Sequence, residues 1–87
     1  MIEFDDIKID VHPNALKHGF SKYEVAGLWS MCHTYALRKE DKMLALSSYK
    51  GKDFELIAKR LEFNHFLVYH CFTPPTKKFL KELERSM

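Results

Sequence analysis

From His33 to Phe72 the chain breaks into four short apolar-rich segments, "HTYALR", "KMLALSSY", "FELIAKRLE" and "HFLVYHCF", separated by "KED", "KGKD" and "FN". This punctuation limits the fold more than any other feature. The segments have strand lengths, and the separators are rich in turn-forming residues. Short strands joined by turns this tight pair with their chain neighbours, which predicts a four-stranded antiparallel meander. The third and fourth segments are apolar at nearly every position. Strands covered on both faces have that texture, with helices on one side and something else on the other.

Helical signals flank the meander. Pro13 suits a first helical position, and "PNALKH" reads as one and a half turns ended by Gly19 as a left-handed cap. Ser21 with Glu24 three residues on makes a capping box, and Phe20 and Val25 are spaced for the hydrophobic staple around it. Val25, Leu28 and Trp29, with Cys32 at the end, recur at helical spacing. Pro74 and Pro75 stop the last strand. Thr76 then caps "TKKFLKELERS", with Phe79, Leu80 and Leu83 on one side. The opening "IEFDDIKIDV" suits a short strand or an extended arm. The expectation is a single α+β domain over residues 1–87, a small antiparallel four-stranded sheet with two N-terminal helices and a C-terminal helix.

Hydrophobic residues make up 46% of the chain and charged ones 30%, which describes a globular protein rather than a disordered one. A formal charge of +2 argues against gripping nucleic acid through bulk charge and leaves room for a local basic patch. The acids Glu3, Asp5, Asp6 and Asp10 crowd the first ten residues, while bases gather at Lys50–Lys52, Lys59–Arg60 and Lys77–Lys78. No apolar run approaches a membrane span, and no basic region followed by an apolar run opens the chain. Cytoplasmic residence, reduced cysteines and no membrane partner are expected.

"CH" at 32–33 and "HC" at 70–71 contain four soft-ligand residues. Neighbours on a strand point to opposite faces, so His70 and Cys71 do not reach one ion together without a bulge. Cys32 and Cys71 read as small apolar fillers. No glycine-rich phosphate loop occurs. The basic residues carry more. Cleaving RNA needs a base for the ribose 2′-OH, an acid for the departing 5′-oxygen and cations for the phosphate. His18 or His70 suits the proton work, and Lys17, Lys59, Arg60 or Lys77 suits the phosphate. Each residue also has a plainer reading. His12 is placed to cap the turn at Pro13, and Lys17 and His18 complement a helix C-terminus. His70 fits a hydrogen-bonded core histidine, and Lys77, Lys78 and Lys81 fit a solvated helix face.

The run "HPNALKHGFSKYEVAGLW", followed by "KMLALSSYKGKDFELI" and "FLVYHCFTPPTKKFLKEL", resembles the BrnT-type toxins of toxin–antitoxin pairs, and a divergent branch of them most closely. The motif that carries the resemblance is Lys17-His18-Gly19-Phe20-Ser21 with Glu24 behind it. The resemblance implies a RelE-like ribonuclease fold, RNA cleavage without metal or other cofactor, and neutralisation by a small DNA-binding antitoxin made beside it. Lys17 and His18 match the family's basic pair, and His70 falls where the branch places a histidine at the end of the last strand. The family generally has an arginine after that strand. Here "TPPTKK", Thr73 to Lys78, holds none; Lys77 and Lys78 are the nearest cations, and lysine lacks the guanidinium fork.

On this reading Lys17, His18 and His70 are catalytic, Lys59, Arg60, Lys77 and Lys78 line the phosphate path, and the substrate is a short RNA segment, free or on the ribosome. The partner is an antitoxin whose helix covers the sheet or the basic groove. Two alternatives stand beside it. One is a relative that keeps the fold without the activity. The other is a non-catalytic interaction module exposing Trp29, Phe72 and Phe79 to a protein partner or to a second copy in a homo-oligomer.

Overall fold

The computed structural model describes residues 1–86. The four segments are strands: β3 (Thr34–Leu37), β4 (Lys42–Tyr49), β5 (Lys52–Glu62) and β6 (His65–Phe72), each antiparallel to the next. The β4–β5 turn is only Lys50 and Gly51, with φ of 51° and 77°. Positive φ at both centres is what a two-residue hairpin of matching twist requires.

The sheet is larger than the four-stranded antiparallel one expected. "IEFDDIKIDV" forms a hairpin of β1 (Ile2–Phe4) and β2 (Ile7–Val11), turned at Asp5 with φ 55°. The β2 strand then pairs with β6 in parallel, Lys8 opposite His65 through Val11 opposite Val68. The result is a mixed six-stranded sheet in the order β1-β2-β6-β5-β4-β3. Strand alternation explains the recruitment: Lys8 and Asp10 face one way while Ile9, fully buried, and Val11 enter the core on the other.

The two expected N-terminal helices reduce to one. Pro13–Leu16 is a single 3-10 turn, capped by His12, whose Nδ1 accepts the Asn14 N–H at 3.0 Å. The Asn14 side chain donates to the carbonyl of Tyr69 at 3.0 Å, pinning the turn to β6. Gly19, at φ 94°, ends the excursion. Helix α1 (Lys22–Ser30) begins on the capping box, with Ser21 Oγ accepting from Glu24 N–H and the Glu24 carboxylate accepting from Ser21 N–H. The C-terminal helix α2 (Lys77–Arg85) starts at Thr76, whose Oγ1 accepts the Phe79 N–H at 3.1 Å.

One helix covers each face. Val25, Ala26, Leu28 and Trp29 of α1 pack on Ile9, Met43, Ala45, Leu56, Ala58, Val68 and Cys71. On the reverse, Phe79 and Leu83 of α2 pack on Ala36 and Leu44, with Leu46 and Ile57 beside them. Met43, Leu44 and Ala45 are therefore all buried, because alternate residues meet different helices.

Candidate functional site

Around His70 the β5–β6 ladder is irregular. Pairing jumps from Ile57–His70 to Ala58–Val68, which leaves Tyr69 as an extra residue on β6. A bulge of this kind re-aims the side chains next to it. His70 lies opposite Ile57, and Glu55 lies opposite Phe72, so Glu55 and His70 are diagonal neighbours on the α2 face.

Glu55 is buried and fully engaged. Its Oε2 contacts His70 Nε2 at 2.8 Å, and its Oε1 accepts the Thr76 backbone N–H at 2.6 Å. An ionised carboxylate only accepts, so Nε2 carries the proton of this contact and Nδ1 is the nitrogen left to exchange one. The carboxylate thereby fixes both tautomer and ring orientation, as in other carboxylate–histidine pairs. The His70 side chain is 25% exposed, enough to meet solvent.

His18 stands at the same corner. Its ring packs edge-on against Phe72, centroids 4.8 Å apart and planes at 69°. Phe72 is two residues from His70 and directly across from Glu55. Lys17 precedes His18, and Lys77 follows the Thr76 that Glu55 holds; both are exposed. Lys59 lies on the same face, two positions along β5 from Ile57. His18 and His70 thus lie on either side of Phe72 at one corner, with Lys17 and Lys77 beside that corner in the chain and Lys59 further along the sheet.

Two expected phosphate contacts fall elsewhere. Arg60 points to the α1 face, opposite Phe66, and its guanidinium meets Asp41 Oδ1 at 3.2 Å. Register decides this: Lys59 and Arg60 are adjacent on a strand, so they take opposite faces. Lys78 sits one helical turn before Glu82 and lends its charge to that carboxylate. The expected apolar patch at Trp29, Phe72 and Phe79 does not form either. Trp29 and Phe79 are each 4% exposed, one under each helix.

Both cysteines are free. Burial pushes the Cys71 thiol up to about 12, with the charges of Glu24 and Glu55 adding to the effect, and burial raises Cys32 as well. Neither thiol offers the thiolate that a nucleophile or metal ligand needs. Among the described residues no group of three His, Cys, Asp or Glu is placed to hold a metal ion, and none of the helices is long and apolar enough to cross a membrane.

Glu55 is the residue of this candidate site that the sequence did not single out. Its signal was a lone acid between Phe54 and Leu56 in a strand expected to be covered on both faces, where a carboxylate needs a partner. A second histidine–carboxylate pair, His65 Nε2 to Asp10 Oδ2 at 2.6 Å, joins β6 to β2 near the start of β6. Compared with protein-family models, curated proteins and solved structures, the chain matches none of them.

Proposed function

We propose that this chain is a toxin-like protein of the BrnT kind that cleaves RNA in the cytoplasm by acid–base chemistry, without a metal. One observation carries the proposal: the carboxylate-oriented His70 shares a corner with the exposed His18. One imidazole removes the ribose 2′-OH proton while the 2′-oxygen forms its bond to phosphorus. The bond from phosphorus to the 5′-oxygen breaks, and the other imidazole protonates that oxygen. The products are a 2′,3′-cyclic phosphate and a 5′-hydroxyl. Lys17 and Lys77 stabilise the negative charge on the phosphate. A cognate antitoxin would silence the protein by covering this corner.

The absence of an arginine between Thr73 and Lys78 favours a second reading, a relative that binds RNA or the antitoxin without cleaving. Expression in a bacterium separates the two. Growth arrest by the wild-type chain, relieved by Lys17→Ala/His18→Ala, supports cleavage. No arrest from wild-type protein that accumulates in folded form counts against it.

A further inference from the structure

We propose that the hollow where α1 ends binds a guanine base, stacked among aromatic rings and read at its edge by Arg60 and Asp41. The cavity, about 380 Å³, is lined by Trp29, Tyr35, Arg60, Phe63 and Phe66. Four rings and one guanidinium thus meet in a space of the size that small ligands occupy. Two of the rings serve no core. Tyr35 is 62% exposed, and Phe63, in the two-residue turn between β5 and β6, is 91% exposed. Turns of that length favour glycine, asparagine or aspartate, and a ring left in water adds nothing to folding. A flat ligand laid against these rings takes their area out of water.

The polar groups choose the ligand. Arg60 meets Asp41 Oδ1 at 3.2 Å through one nitrogen of its fork. The other guanidinium nitrogens and Asp41 Oδ2 make no further hydrogen bond among the described residues. The pair is neutral in sum, and Glu62 lines the continuation of the hollow past Arg60 and Phe63. A lone anion would meet two carboxylates there and a lone cation the guanidinium, so neither is complementary. An uncharged plane whose edge sets an acceptor beside donors does fit. Guanine is such a plane: O6 accepts from the arginine, while N1–H and N2–H donate to the carboxylate. Adenine presents one donor group beside ring acceptors and cannot donate to the carboxylate twice.

A guanine reaches the hollow either as a free nucleotide or as one base of an unpaired RNA strand, and the recognition is the same. Trp29 and Phe66 belong to the α1 face, whereas His70 lies on the α2 face. The site therefore stands whether or not the His70 corner cleaves RNA.

Trp29 is the only tryptophan of the chain, so its fluorescence reports on the hollow. Guanosine 5′-monophosphate and adenosine 5′-monophosphate are titrated into the full chain. Two short 2′-O-methyl RNA strands follow, one of uridines around a single guanosine and one with adenosine in its place; both lack the 2′-OH that cleavage needs. Guanosine is expected to bind about tenfold or more tighter than adenosine in either form. A strand that binds tighter than the mononucleotide names RNA as the source, and equal affinity names the free nucleotide. Phe63→Ala should weaken guanosine binding by about tenfold. Asp41→Asn should abolish the preference, because an amide pairs with adenine instead. Asparagine also tolerates the left-handed backbone that Asp41 adopts at φ 61°. Far-UV circular dichroism confirms that both variants remain folded. Adenosine bound as tightly as guanosine, binding indifferent to Phe63→Ala, or a preference that survives Asp41→Asn would each overturn the proposal. So would folded wild type without any fluorescence response, which would leave the exposed rings to a protein partner.

Discussion

His70 and Glu55 meet across the β5–β6 pair at 2.8 Å, Nε2 to Oε2, and the second oxygen of the same carboxylate holds the Thr76 N–H at 2.6 Å. One buried group therefore orients a histidine and seats the start of α2.

Glu55→Ala leaves two donors unpaired in a part-buried site, and urea denaturation should show a loss of about 2–3 kcal/mol. Glu55→Gln keeps the shape but accepts through only one atom. It should fold with a smaller loss, and RNA cleavage should fall by about 10²-fold with an altered pH profile.

At its other end α2 is anchored by charge. Glu82 Oε1 meets Lys42 at 3.1 Å and Arg38 at 2.8 Å. The hydrogen bond from Lys42, with the charges of Lys42, Arg38 and Lys78, holds the carboxyl below its ordinary value of 4.5. A carboxyl lowered by folding adds stability that is full above the unfolded value and is lost as pH falls through the folded one. Glu82→Gln should therefore cost at most about 1 kcal/mol near neutrality. The gap from wild type should close in acid, below the ordinary value of 4.5. Paired urea melts across pH measure it.

Ser47 is fully buried on the α1 face, and its hydroxyl has no hydrogen-bond partner among the described residues. Removing an unpaired buried hydroxyl should be neutral or stabilising, so Ser47→Ala is expected to raise stability by up to about 1 kcal/mol. A thermal melt that drops instead would show that the hydroxyl is satisfied in solution.

The sequence made some of this legible and hid the rest. Strands β4 and β6 span the very residues of "KMLALSSY" and "HFLVYHCF", because turn-forming residues bracket strand-length apolar runs. The capping box at Ser21 and the cap at Thr76 were legible because both are local. The parallel pairing of β2 with β6 was not. It joins residues more than fifty positions apart, so the alternation of Ile7, Ile9 and Val11 with Lys8 and Asp10 marks a strand without naming its partner. "PNALKH" lacked the length to hold a helix and kept only a 3-10 turn. His18 and His70 were chosen from their chemistry, whereas Glu55 hid in an apolar run. Arg60 was misplaced because its face depends on strand register.

RNA cleavage by the purified chain in the presence of a chelator, with product ends identified, tests the acid–base proposal most directly. Wild-type protein should leave 2′,3′-cyclic phosphate and 5′-hydroxyl ends, with the rate falling by about 10²-fold or more in His70→Ala. Folded wild-type protein that leaves RNA intact, or cleavage that survives His70→Ala unchanged, would contradict it.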